Sequence, residues 1–144
     1  MLALPAEIFT TLPELRWLSL RGNNLRVLPR GLLRLQRKLL VLDLSENHLS
    51  ALPQGIFDNT PLLCELDLAQ NRFSVPTNII QNVHALGYMR KLYLGYNDFG
   101  SIWGAGIYRN HTLFTRSYIT DAQWLSNFKE MVGVKLDPII RRWY

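Results

Sequence analysis

Leucines and polar residues alternate along the first two-thirds of this 144-residue chain in a pattern that repeats. The motif Leu-x-x-Leu-x-Leu-x-x-Asn-x-Leu, with methionine or phenylalanine at one end of some copies, starts at Leu15, Leu39, Leu63 and Met89. Successive copies are 24, 24 and 26 residues apart. Because side chains alternate between the two faces of a strand, each Leu-x-Leu segment predicts a short strand whose leucines point into a core. The copies therefore predict parallel strands stacked into one sheet.

An asparagine follows each predicted strand, where the chain turns away from the sheet. A buried amide is tolerated at such a place only if its donors and acceptor find backbone partners. We expect these asparagines to form a ladder between neighbouring turns, with a structural rather than a catalytic role. They are Asn23, Asn47, Asn71 and Asn97.

Beyond the asparagine the copies continue as Leu28-Pro29, Leu52-Pro53 and Val75-Pro76. Proline fits here because this segment belongs to no hydrogen-bonded ladder. The whole pattern resembles the leucine-rich-repeat family, in particular the 24-residue repeats common in receptors and matrix proteins, and the resemblance covers residues 2–102. It implies an α/β fold, a solenoid with a curved parallel sheet on its concave side and irregular or short helical arms on its convex side.

A single repeat cannot bury enough apolar surface to be stable alone, so the solenoid needs covers at both ends. We expect a solenoid over residues 1–102, formed by a partial first repeat and four copies, and a C-terminal cap over residues 103–144. In the cap, Thr120 or Asp121 can begin a helix that Gly133 ends, followed by an apolar tail. The solenoid opens inside an incomplete repeat, which favours a partner over that edge or, alternatively, a longer parent protein.

The outward strand residues line the concave face in this family, so they are the candidate partner-binding residues. They are Trp17, Ser19, Arg21, Val41, Asp43, Glu65, Asp67, Lys91 and Tyr93, with Tyr96 at the rim. Asp43 and Asp67 are expected to be neighbours across the sheet, where like charges are destabilising unless they are solvated or paired. One hypothesis is a basic anchor supplied by a partner, and the other is a solvated face that tolerates two aromatic residues.

The net charge is +5, and seven of the sixteen lysines and arginines lie between Arg16 and Lys38. Five of them recur at roughly helical spacing on the first convex arm and form a candidate arginine ridge: Arg26, Arg30, Arg34, Arg37 and Lys38. Such a ridge could hold the phosphates of a nucleic acid. It lacks interleaved aromatics that would stack on bases, and ordinary solvated side chains are the alternative interpretation.

Catalysis needs convergent groups in a pocket, and the sequence offers no such set. His48 and His84 fall in different parts of the predicted solenoid and His111 in the predicted cap, each without a companion at metal-ligand spacing. Cys64 occupies a strand position and is interpreted as a buried or half-buried thiol. We therefore predict no catalytic residues, no metal, no cofactor, no small-molecule substrate and no enzyme activity.

The leading hypothesis is a protein–protein interaction module, a small structural or adaptor subunit of a larger assembly. A nucleic-acid or ribonucleoprotein accessory subunit that binds through the arginine ridge is the first alternative. A fragment of an extracellular recognition receptor is the second, for which Asn110 would be a glycosylation site. No membrane-spanning segment is expected, and the single cysteine favours an intracellular location, for example mitochondrial or nuclear, over the extracellular one.

Overall fold

The computed structural model describes residues 3–74, 77–83 and 86–98. Their elements, in chain order, are β1 (Trp17–Ser19), β2 (Val41–Asp43), β3 (Glu65–Asp67), α1 (Thr77–Val83) and β4 (Lys91–Tyr93). The strands form one parallel sheet in the order β1-β2-β3-β4. Each strand pairs with the same segment of the next repeat, so that Leu18 lies opposite Leu42 and Leu42 opposite Leu66. This is the solenoid with a parallel sheet that the sequence predicts.

The core runs along the inner side of the sheet. The central strand leucines Leu42, Leu66 and Leu92 are fully buried. Leu25, Leu49 and Phe73, which follow the asparagines, are buried as well. Parallel strands cannot be joined by a tight hairpin, so each repeat must return across the convex side before the next strand begins.

The repeat asparagines connect adjacent turns through their side-chain amides. The Oδ1 atom of Asn47 accepts hydrogen bonds from the backbone N–H groups of Asn23 and Leu25, both at 3.0 Å. Its Nδ2 group donates to the carbonyl oxygens of Leu20 and Leu44, also at 3.0 Å. Equivalent bonds link Asn71 to Leu49 and Asn97 to Phe73. Side-chain amides therefore satisfy backbone groups that the turn leaves without partners.

The residue just before each ladder asparagine has a left-handed backbone conformation. Gly22 has φ of 70°, and the next three repeats place Glu46, Gln70 and Tyr96 there, with φ of 55°, 56° and 55°. Glycine adopts this conformation at little cost, whereas other L-residues lose roughly 1–2 kcal/mol. Of these four residues only Gly22 is a glycine, so only the first repeat reveals the left-handed position in its sequence.

The convex arms differ from one another. In the first arm, residues 26–38, the backbone makes successive four-residue turns, such as the one closed by the bond from Arg34 N to Gly31 O at 3.2 Å. The near-helical spacing of the arginines therefore does not indicate a helix. Pro29 and Gly31 lie in the middle of the arm, and Gly31 has a positive φ of 75°. The second arm, residues 50–62, follows the same course, while the third contains α1.

A second set of amide bridges, not anticipated from the sequence, attaches α1 to the second arm. Asn78 accepts a hydrogen bond from Leu52 N at 2.6 Å and donates one to Leu52 O at 3.0 Å. Asn82 accepts from Gly55 N at 3.1 Å. The helix thus completes the backbone hydrogen bonding of the preceding repeat.

The expected C-terminal cap over residues 103–144, with its helix and apolar tail, lies outside the described residues. Across the described ranges, no helix is long and apolar enough to cross a membrane.

Candidate functional site on the concave face

The outward side chains of the sheet form two rows. Register pairing aligns Trp17, Val41, Glu65 and Lys91 in the first row and Ser19, Asp43, Asp67 and Tyr93 in the second. A depression of about 250 Å³ lies between the rows. We call it the concave site; its lining residues are Trp17, Val41, Leu42, Asp43, Glu65, Asp67 and Tyr93.

Asp43 and Asp67 face each other directly on β2 and β3. Burial raises the pKa of Asp67 above its ordinary value, the hydrogen bond from Ala69 N–H opposes this, and the charge of Asp43 raises the pKa further. The two carboxylates form a half-buried acidic pair in which the negative charge of Asp67 is costly.

Each of these carboxylates makes only local hydrogen bonds. Asp43 Oδ1 accepts from the N–H and hydroxyl of Ser45, at 2.9 and 2.6 Å. Asp67 Oδ1 accepts from Ala69 N at 2.9 Å. Among the described residues, no basic side chain lies within ion-pair distance of either acid. One oxygen of each carboxylate thus remains available to a donor from outside.

The nearby cations are engaged by other acids. Arg21 forms a two-pronged ion pair with Glu46, with N–O distances of 2.9 and 3.0 Å. The hydrogen bond from Arg21 lowers the pKa of Glu46, and the same bond raises the pKa of Arg21. Lys91 lies 3.4 Å from Glu65. Arg21 and Lys91 therefore flank the concave site without neutralising Asp43 and Asp67 by direct contact.

Two aromatic residues line opposite ends of the concave site. Trp17, in β1, leaves 60% of its surface exposed, and Tyr93, in β4, is half-buried. Burial raises the pKa of the Tyr93 hydroxyl, and the charge of Glu65 adds to this effect. An exposed tryptophan beside an acidic pair is the kind of surface that interface hot spots use.

The other predicted concave residues lie around the concave site rather than in it. Ser19, Arg21, Lys91 and Tyr96 are absent from its lining. Tyr96 is exposed at the turn after β4, where its left-handed backbone sets its direction. Sequence reasoning did not anticipate Leu42, an inward-facing residue that contributes to the floor.

The arginine ridge lies on the convex side, away from the sheet. All five of its residues are exposed. Lys38 is paired with Glu14 of the preceding repeat at 2.5 Å, and this contact lowers the pKa of Glu14. The ridge and the concave site are therefore separate surfaces.

The described residues contain no group of three or more histidine, cysteine, aspartate or glutamate side chains that could hold a metal ion. Cys64 is half-buried, and its thiol donates to Leu40 O at 3.3 Å. His48 lies in the turn after β2, whereas His84 and His111 fall outside the described ranges.

Comparison with known proteins agrees with this architecture. The family model described as Leucine rich repeat matches residues 1–49 and 37–99. Among curated proteins, no sequence match is found. Solved structures do match, and 59 chains resemble this one.

Two of these structures illustrate the similarity. The leucine-rich repeat domain of APL1B is 27% identical, with a TM-score of 0.60 over 67% of this chain and 27% of that one. A structure of the Toll–Spatzle complex from Drosophila is 28% identical, with a TM-score of 0.59 over 69% of this chain and 16% of that one.

A third structure, a TLR13–ssRNA13 complex, is 23% identical with a TM-score of 0.54 over 69% of this chain and 17% of that one, and it shows the fold alone. This chain thus spans about a quarter or less of the length of these chains. Such domains generally mediate protein–protein interaction. The repeats, the stacked sheet and the family match lead to one conclusion: the chain belongs to the leucine-rich repeat family.

Proposed function

We propose that this protein is a non-catalytic binding module, a small structural or adaptor subunit whose concave site receives a basic side chain of a protein partner. The observation that supports this most directly is the pair Asp43 and Asp67, which is half-buried and has no ion-pair partner among the described residues. A buried or half-buried charge is stable at low cost only when it is paired.

The shape of the concave site favours an arginine from the partner. A guanidinium group is planar, carries donors that match a carboxylate, and stacks on aromatic rings. Asp43 and Asp67 would supply the acceptors, while Trp17 and Tyr93 would supply rings on either side. The depression of about 250 Å³ has room for one such side chain.

The intramolecular ion pairs support specificity. Because Glu46 holds Arg21 and Glu65 holds Lys91, these two basic residues do not occupy the acidic pair. The acidic pair is therefore left for a basic group from a partner.

The test compares three forms of the full chain in pull-downs from native extract, followed by mass spectrometry. The first is wild type, the second is Asp43→Asn with Asp67→Asn, and the third is the control Glu7→Gln with Asp58→Asn. The control removes two exposed carboxylates on the arms and therefore matches the change in net charge.

The expected result is a stoichiometric protein that wild type and the control capture and that the concave-site variant loses. Its affinity for the variant should fall at least tenfold, since hydrogen bonds to charged groups contribute about 1.5–3 kcal/mol each. Titration of the purified partner should also change the fluorescence of the protein, because Trp17 lies in the concave site. Equal capture by all three forms would show that binding occurs elsewhere and that the proposal is wrong.

A second candidate function is recognition as part of an extracellular receptor, supported by the 28% identity to a chain of the Toll–Spatzle complex. In that case, the chain expressed through the secretory pathway should carry a glycan that Asn110→Gln removes. Secretion without a glycan would argue against this alternative.

A further inference from the structure

The first convex arm exposes side chains unlike those of a typical solvated loop. Its exposed residues are Arg26, Val27, Arg30, Gly31, Arg34, Leu35, Arg37 and Lys38. Five are basic, two are large or branched apolar residues, and none is acidic. The arm is therefore cationic and partly apolar at the same time.

These exposed residues point outward because the residues between them point inward. Leu28, Leu32 and Leu33 are buried in the core. Gln36 is also buried, and its Nε2 group donates to Phe9 O at 2.6 Å. The anchored positions hold the arm against the solenoid, so the exposed side chains share one outward surface.

Four of the five charges on this surface are not neutralised within the described chain. Lys38 is paired with Glu14. The other ion pairs of the described residues are Arg21 with Glu46 and Lys91 with Glu65, so no acid lies within ion-pair distance of Arg26, Arg30, Arg34 or Arg37. The positive potential of the arm is available to an external anion.

The repeat itself does not require these charges. The second arm has the same course, yet its residues at the positions of the four arginines are Ser50, Gln54, Asp58 and Pro61. The arginines are thus a property of one arm, and the equivalent positions of the next arm show that the fold forms without them.

The exposed apolar residues of the arm argue against a nucleic acid as its anionic partner. Val27 is 60% exposed and Leu35 is 39% exposed, both between arginines. Leu12 is 47% exposed, and its carbonyl accepts a hydrogen bond from Gln36 at 3.2 Å, which places the preceding arm alongside. A nucleic acid would instead favour aromatic side chains for base stacking, and the arm has none.

We propose that the first convex arm attaches the protein to an anionic membrane surface, with Arg26, Arg30, Arg34 and Arg37 at the lipid headgroups and Val27 and Leu35 inserted between them. Basic residues near such a surface and shallowly inserted apolar side chains both contribute to peripheral binding. This attachment is independent of the concave site, so a protein partner and a membrane could be bound together.

The experiment measures cosedimentation of the full chain with vesicles of phosphatidylcholine alone or of phosphatidylcholine mixed with the anionic lipid phosphatidylserine. Wild type should bind the anionic vesicles and not the neutral ones. A variant that combines Arg30→Gln, Arg34→Gln and Arg37→Gln should bind on the order of 100-fold more weakly. Each basic residue near the surface contributes about fivefold to the binding constant. The matched control combines Arg72→Gln, Arg90→Gln and Lys91→Gln, three exposed basic residues of the later repeats. It should lose no more than about fivefold.

A further variant separates lipid from other polyanions. Val27→Ser with Leu35→Ser keeps the charge, so it should weaken vesicle binding while leaving any binding of a polyuridine RNA probe unchanged. Circular dichroism would establish that each variant is folded. Binding of RNA but not of vesicles, equal vesicle binding by the ridge variant and its control, or no effect of the Val27 and Leu35 changes would each overturn the proposal.

Discussion

The side-chain oxygen of Asn47 accepts a hydrogen bond from the backbone N–H of Leu25, one repeat earlier, at 3.0 Å. Leu25 is fully buried, so this N–H has no access to water. The same oxygen also accepts from Asn23 N. One amide therefore joins two repeats at the point where each chain segment leaves the sheet.

Replacing Asn47 by alanine should destabilise the fold by about 3 kcal/mol, because several buried backbone groups would lose their partners at about 1–3 kcal/mol each. Asn23→Ala should cost less, about 1 kcal/mol, since its half-exposed amide donates only to Leu20 O and Arg21 O. Urea unfolding followed by circular dichroism measures both. Equal losses would mean that the bonds to Leu25 and Asn23 contribute little.

The bridge from α1 to the second arm should also be measurable. Asn78→Ala removes both hydrogen bonds to Leu52 and is expected to lower the free energy of unfolding by about 2 kcal/mol. Asn59→Ala is the control, because Asn59 is half-buried on the same arm and makes no side-chain hydrogen bond within the described part of the chain. If Asn59→Ala lowered the free energy of unfolding by a similar amount, the effect of Asn78→Ala would not come from its hydrogen bonds to Leu52.

Gln70 has a left-handed backbone conformation, and here a substitution is expected to raise stability rather than lower it. Gln70→Gly should stabilise the fold by up to about 1 kcal/mol, because glycine relieves the cost of a positive φ. Gln54→Gly, at an exposed position without positive φ, should destabilise by about 0.5–1 kcal/mol through the greater freedom of the unfolded chain. Thermal unfolding compares the two variants directly. A loss of stability for Gln70→Gly would contradict the claim that the positive φ of Gln70 destabilises the fold.

The raised pKa of Asp67 makes stability depend on pH. Because the native state holds the proton more tightly than the unfolded chain does, the ionised carboxylate destabilises the native state above its folded-state pKa. This cost disappears as the pH falls through that pKa toward the ordinary value of 3.8.

Asp67→Asn should therefore be more stable than wild type at pH 7, by about 0.5 kcal/mol, the scale of a like-charge pair across strands. The difference should shrink as the pH falls and vanish near pH 3, as followed by urea unfolding at several pH values. Asp58→Asn, an exposed carboxylate on the second arm, should show no comparable gain at pH 7. A difference that grows toward acid pH would reverse the sign assigned to Asp67.

The sequence was sufficient for the repeat, its register and the direction of the strand residues. Leucine at every second position specifies which face is buried, and the 24-residue spacing places Leu18, Leu42 and Leu66 side by side. It also placed Asp43 beside Asp67, because identical positions in successive repeats must be neighbours in a parallel sheet. These features depend on local periodicity, which a sequence displays directly.

Only the tertiary structure decided how the polar groups are paired. Glu46, which has a left-handed backbone, pairs with Arg21, and Asn78 bonds to Leu52 across the convex side. The acidic pair has no ion-pair partner among the described residues. The separation of the arginine ridge from the concave site and the outward exposure of Val27 likewise follow from the path of the arms. Such contacts depend on distances of a few ångströms between repeats, and the periodicity that specifies the strands carries no information about them.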